Sequence, residues 1–235
     1  MANRKVPLMT GEIYHIYNRG VDKRNIFLDT YDLQRFFQSI QVFNTLKPIG
    51  SIYELSFPVE KPAQLGSSTP KRIKRLVDLV AYCLNPNHYH LVLKQTAEHG
   101  IKKLMHRLGT GYTNYFNIKY KRTGSLLQGR FKSKHVDSND YLLHLSVYVN
   151  QNHQLGSSTP KLGVGGITKS SWQEYLGKEK TSICQKNLIL EQFKNIKEYE
   201  KFTEEALELI KEKKQLENES EDKMFTWELN SQVEF

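Results

Sequence analysis

The sequence predicts an α+β domain with a mainly antiparallel sheet covered by helices on one face. Three observations lead there. Runs rich in β-branched and aromatic residues, with alternating polarity, mark several strands. Two of these, residues 76–84 and 88–94, read as a pair joined across the turn Asn85-Pro86-Asn87. Helical runs interrupt the strands only at intervals, in the order β-α-β-β-β-α-β-α, and not after every strand.

Glu-Ile-Tyr-His-Ile-Tyr-Asn at 12–18 alternates as a first strand, and a polar, basic loop covers 19–25. Asp29 or Thr30 is placed to cap a helix running to about residue 46, with Leu33, Phe36, Phe37 and Ile40 on one apolar face. A second strand is expected at 49–57, followed by a polar loop at 58–71. Strands three and four are the pair around Asn85-Pro86-Asn87. Residues 100–118 form an amphipathic helix, since Ile101, Leu104, Met105, Leu108, Tyr112, Tyr115 and Phe116 recur at helical spacing. Tyr112 and Tyr115 suit either base stacking or a core stripe. Residues 124–134 read as an extended segment in which Arg130, Lys132 and Lys134 share one face, to meet phosphates or to protect a sheet edge. Asp137 or Ser138 caps a helix over about 139–152. One or two helices follow over 186–216, and the chain ends in an acidic, polar tail.

The charge is uneven. Residues 1–160 hold 22 Lys/Arg against 10 Asp/Glu, and residues 161–235 hold 12 against 15, so the formal +9 of the chain sits in its first two-thirds. A basic region interleaved with tyrosine and phenylalanine suits a polyanion, above all nucleic acid. Cys83 and Cys184 stand far apart, which argues against a disulfide framework or a zinc ribbon. No stretch has the length and apolarity of a membrane span, and the basic N-terminus lacks an apolar signal region. The expectation is a cytoplasmic protein.

The chemistry centres on His88-Tyr89-His90. Alternation along a strand points both imidazoles to one face, about 7 Å apart along the chain, where they can clamp a divalent cation or form an ordinary polar face. On the helix over 139–152, Tyr148 and Asn152 are four residues apart and share a face, with His144 one turn the other way. A phenol with a carboxamide one turn on suits phosphoryl transfer. The same spacing equally suits a buried stripe of Tyr141, Leu145 and Tyr148.

Ordered motifs run through most of the chain. They are Tyr14-His15-Ile16-Tyr17-Asn18-Arg19-Gly20, then Ala81-Tyr82-Cys83-Leu84-Asn85-Pro86-Asn87-His88-Tyr89-His90-Leu91, then Tyr112-Thr113-Asn114-Tyr115-Phe116-Asn117. Gly124-Ser125-Leu126-Leu127-Gln128-Gly129-Arg130-Phe131-Lys132-Ser133, Tyr148-Val149-Asn150-Gln151-Asn152 and Ser170-Ser171-Trp172-Gln173-Glu174-Tyr175-Leu176-Gly177 follow. In these motifs the chain resembles the HUH single-tyrosine transposases, in particular the branch associated with repetitive extragenic palindromes (REP). The resemblance implies a ferredoxin-like catalytic domain over 1–178 and a helical C-terminal extension over 179–235. It implies Tyr148 as nucleophile and His88, His90 and Asn152 as ligands of Mg²⁺ or Mn²⁺. The implied activity is cleavage and rejoining of single-stranded DNA through a 5′-phosphotyrosine, at palindromic hairpins, by a monomer or homodimer. DNA contacts are expected from Arg19, Lys23, Arg24, Arg107, Arg130, Lys132 and Lys134. A relative that has kept the fold and hairpin binding but lost cleavage is the alternative.

Three features depart from the family pattern. Asn85 stands where the family usually has methionine, outside the implied ligand set. His153 follows Asn152 where the family usually has proline, which would let the helix run on. Gln-Leu-Gly-Ser-Ser-Thr-Pro-Lys occurs identically at 64–71 and 154–161, as two in-frame copies of one short DNA repeat would produce.

Overall fold

The computed structural model describes residues 7–47, 49, 74–155, 167–179 and 182–216. The strand expected at 49–57 and the first copy of the eight-residue repeat lie outside them, as does most of the second copy and the acidic tail.

The first strand, β1 (Ile13–Arg19), leads through a short 3₁₀ turn into α1 (Thr30–Phe43). Asp29 caps α1 by accepting a hydrogen bond from the Asp32 amide at 2.9 Å, a contact generally worth about 1 kcal/mol. Then come β2 (Val77–Asn85) and β3 (His88–Gln95), which pair antiparallel across Pro86-Asn87 as expected. α2 (Gly100–Lys119) and β4 (Lys132–Val136) complete a β-α-β-β-α-β unit. α3 (Asn139–Asn150), α4 (Asn152–Leu155), the two-residue β5 (Lys169–Ser170) and α5 (Trp172–Tyr175) follow. α6 (Asn187–Leu190) and α7 (Ile196–Leu216) end the described chain.

The sheet order is β4-β1-β3-β2-β5, and every neighbouring pair is antiparallel. The first four strands thus take the ferredoxin-like arrangement. Alternation along β3 separates two environments. Tyr89 packs on Phe36 of α1 at 5.2 Å between ring centroids, and Phe36 meets Tyr112 of α2 at 4.9 Å. α1 and α2 therefore cover the Tyr89 face. His90 points the other way and meets Tyr148 of α3 at 5.6 Å. The one-face expectation holds for α1 and α2, but α3 covers the opposite face. The reason is compositional: both faces of β2 and β3 are apolar or buried almost throughout, so both need cover.

Tyr112 is wholly buried, and its hydroxyl donates to the Ile26 carbonyl, so it is a core residue and no stacking platform. Tyr115 donates to Asp32 at 3.1 Å. The segment 124–131, expected to be extended, is a series of bends with one isolated bridge from Leu127 to Gly20, and the strand itself covers Lys132–Val136. The C-terminal helix α7 is anchored by Tyr199, which is buried against Tyr175, Phe193 and Trp172.

Candidate active site

The pairing of β1, β3 and β2 assembles the site. His90 lies opposite Tyr17 on β1 and Cys83 on β2, and His88 lies opposite Arg19 and Asn85. These side chains share one face because directly opposed residues point the same way. The His88 and His90 rings are 5.1 Å apart, at nearly a right angle. His88 Nε2 is 3.2 Å from Asn152 Oδ1. The Tyr148 ring stands edge-on to His90. Strand pairing, α3 and the start of α4 thus bring His88, His90, Tyr148 and Asn152 together. All four are nearly buried, with Tyr148 only 3% exposed. Tyr148 sits in the apolar core and beside the histidines at once.

Helix α3 does not run straight through to Asn152. It ends at Asn150, Gln151 leaves helical geometry (φ −105°, ψ 8°), and Asn152 opens the separate turn α4. The chain does continue as helix past the position of the missing proline, but only after this break. The Gln151 amide still bonds the Val147 carbonyl at 2.9 Å, which keeps Asn152 about one turn beyond Tyr148.

Hydrogen bonds define the His88 tautomer. Its Nδ1 is 2.6 Å from Asn87 Oδ1, which accepts only, so the proton is on Nδ1 and Nε2 offers a lone pair. Asn87 is oriented by its amide nitrogen, which donates to the Lys23 carbonyl. His90 Nδ1 is 2.9 Å from His15 Nε2. Burial, reinforced by the Lys134 charge, pushes the His15 pKa down to about 3, so His15 is neutral. Burial pushes the Cys83 thiol up to about 12, so it stays protonated.

His15 and Asn85 belong to this cluster, although neither was expected in it. The alternation on β1 already set His15 on one face with Tyr17. Only the β1–β3 register brings that face against His90. Asn85, outside the implied ligand set, touches two of its members: its amide nitrogen is 2.9 Å from His88 Nε2 and 2.7 Å from Asn152 Oδ1.

The basic residues divide. Lys132 and Lys134 lie opposite Tyr17 and His15, so they flank the histidine face, with Lys134 also 4.7 Å from the Tyr141 ring centroid. Arg19 lies on the same face and bonds Gln128. Lys23 and Arg130 are exposed. Arg24 bonds the Val21 carbonyl and Asp22. Arg107 stands apart from the site. It lies on α2, across the sheet from Tyr148, and its guanidinium holds the Phe43 and Thr45 carbonyls at the end of α1. A cation there satisfies the unpaired carbonyls of a helix C-terminus.

Among the described residues, no group of three or more His, Cys, Asp or Glu side chains is placed to hold a metal. The set found here has two imidazoles and a carboxamide. Residues 71–152, about a third of the chain, match the family model described as IS200-like transposase, and the match includes His88, His90, Tyr148 and Asn152. Over this segment the chain is similar to the IS200-like transposases. No curated protein matches it. Among solved structures, this chain is similar to a REP-associated tyrosine transposase bound to a REP hairpin. The two are 12% identical, and the match covers 78% of this chain and 90% of that one with a TM-score of 0.48. No helix among its described residues is long and apolar enough to cross a membrane.

Proposed function

We propose that this protein is a metal-dependent endonuclease and strand-transfer enzyme for single-stranded DNA, acting at palindromic hairpins through a 5′-phosphotyrosine at Tyr148. One observation carries the reading: Tyr148, His88, His90 and Asn152 form a single cluster inside the segment that matches the family model.

The donor set fits a divalent cation such as Mg²⁺ or Mn²⁺. His88 Nε2 offers a lone pair beside the Asn152 carboxamide oxygen. His90 is oriented through Nδ1 by His15, the kind of support that fixes the ring of a ligating histidine. A bound cation would polarise the scissile phosphate and stabilise the charge that develops there. Tyr148 Oη forms the new bond to phosphorus as the bond to the 3′-oxygen breaks. The phenolic proton passes to solvent, and the departing oxygen takes up a proton as a 3′-hydroxyl. The phosphotyrosine retains the bond energy, so attack by a 3′-hydroxyl rejoins strands without a nucleotide cofactor. Lys132 and Lys134 beside the site are suited to phosphates of the bound strand.

The test is incubation with 5′- and 3′-labelled hairpin oligonucleotides and Mn²⁺, followed by a denaturing gel. The wild type should form a covalent adduct and Tyr148→Phe none. Cleavage that survives in Tyr148→Phe would instead identify water as the nucleophile. The low exposure of Tyr148 favours one second reading, a hairpin-binding protein that does not cut. Binding without adduct across several hairpins and metals is its signature.

A further inference from the structure

Asn85 ends β2 directly opposite His88 and is wholly buried. Its amide oxygen is 3.7 Å from Cys83 Sγ, whose thiol can donate to it. That contact turns the NH₂ group inward, toward His88 Nε2 at 2.9 Å and Asn152 Oδ1 at 2.7 Å. Both inward atoms accept hydrogen bonds and neither donates. His88 has its proton on Nδ1, and Oδ1 is a carbonyl oxygen. Two buried acceptors 3.2 Å apart are stable only if something positive lies against both. The Asn85 NH₂ group supplies two donors there.

We infer that Asn85 is a positioning residue that stands in for the cation: its NH₂ group bridges His88 Nε2 and Asn152 Oδ1, holds them at ligand spacing, and competes with a divalent cation for the same lone pairs. This rests on the cation reading proposed above. It explains how the pocket stays ordered with two acceptors facing each other. It also gives a consequence to the asparagine that stands where the family usually has methionine.

Asn85→Leu keeps the branched heavy-atom skeleton and removes the donors. In EDTA the variant should melt below the wild type, and Mn²⁺ should close the gap. Its dissociation constant for Mn²⁺, measured by electron paramagnetic resonance, should fall about tenfold, as expected when two buried hydrogen bonds no longer compete. Weaker binding would make Asn85 a ligand and overturn the inference, and so would unchanged affinity. His88→Ala and Asn152→Ala serve as controls and should abolish the binding. If the wild type and Asn85→Leu both fail to bind Mn²⁺, the cation reading itself falls and takes this inference with it. Wild-type binding with an unaltered Asn85→Leu sinks this inference alone. If the leucine variant does not fold, the unmodified protein still decides. The Asn85 side-chain NH₂ resonances should be protected from exchange in EDTA, and should shift and lose protection on addition of Mg²⁺. Resonances that stay protected and unshifted at saturating Mg²⁺ would overturn the inference.

Discussion

Removing a single hydroxyl on α7 should loosen the helix that carries the candidate nucleophile. Tyr199 is wholly buried, and its hydroxyl sits in a chain of hydrogen bonds. Ser146 Oγ donates to the Leu143 carbonyl at 2.7 Å, so it accepts from Tyr199 Oη at 3.1 Å. The Tyr199 oxygen in turn accepts from Asn150 Nδ2 at 3.1 Å. Asn150 is tied on its other side to Ser171 at 2.5 Å. Tyr199→Phe keeps the ring contacts with Tyr175 and Phe193 and deletes only the oxygen. One buried amide N–H of Asn150 then has no acceptor, while Ser146 keeps its bond to Leu143. A stranded buried donor generally costs about 1–3 kcal/mol, and one neutral amide with its neighbours unmoved should cost about 2 kcal/mol. Ser146 and Asn150 bracket Tyr148 on α3, so amide exchange should quicken there and adduct formation should fall. Urea denaturation gives the stability change directly. A loss under about 0.5 kcal/mol, within the range of an ordinary surface substitution, would refute the reasoning.

Three other outcomes are expected. Lys119→Met should destabilise by about 3 kcal/mol in urea titrations, because it removes the ammonium 2.7 Å from the wholly buried Asp32 side chain. Asp32 would keep its bonds from the Leu28 amide and the Tyr120 hydroxyl, so Asp32→Asn in the same background should recover part of the loss. Burial lowers the pKa of His144, which packs on Phe202, so the unfolded chain binds its proton more readily than the folded one. Its stabilising contribution is present above the unfolded value near 6.5 and is lost as pH falls below it, so His144→Leu should flatten the acid limb of a melting-temperature profile. Replacing Lys132 and Lys134 together by alanine should weaken hairpin binding and reduce its log–log salt dependence by about 1.4, at about 0.7 for each phosphate contact on a single strand. An unchanged slope would place the DNA elsewhere.

Much of this protein was determined by local pattern. β-Branched and aromatic runs marked β1, β2 and β3, apolar spacing marked α1, α2 and α3, and two helix starts were narrowed to Asp29 or Thr30 and to Asp137 or Ser138, of which Asp29 and Ser138 are the caps. Alternation put His88 and His90 on one face, and a four-residue step put Asn152 one turn from Tyr148. These properties depend on residues within a turn or two of each other, so the sequence by itself determined them. Contacts across the chain were decided only by the tertiary structure. Arg107 sits on a polar helix face in sequence and could equally meet DNA, until the docking of α1 gives it the carbonyls of Phe43 and Thr45. Tyr112 could stack bases until Phe36 and Ile26 enclose it. His15 meets His90 across 75 residues of chain through strand register, and Asn85 meets Asn152 across 67 through the seating of α3 on the sheet. A register shift of one residue would turn His15 to the opposite face, and no local preference of β1 or β3 fixes that shift. Register and helix docking depend on how the whole core packs, and it is these that bring the separate motifs into one site.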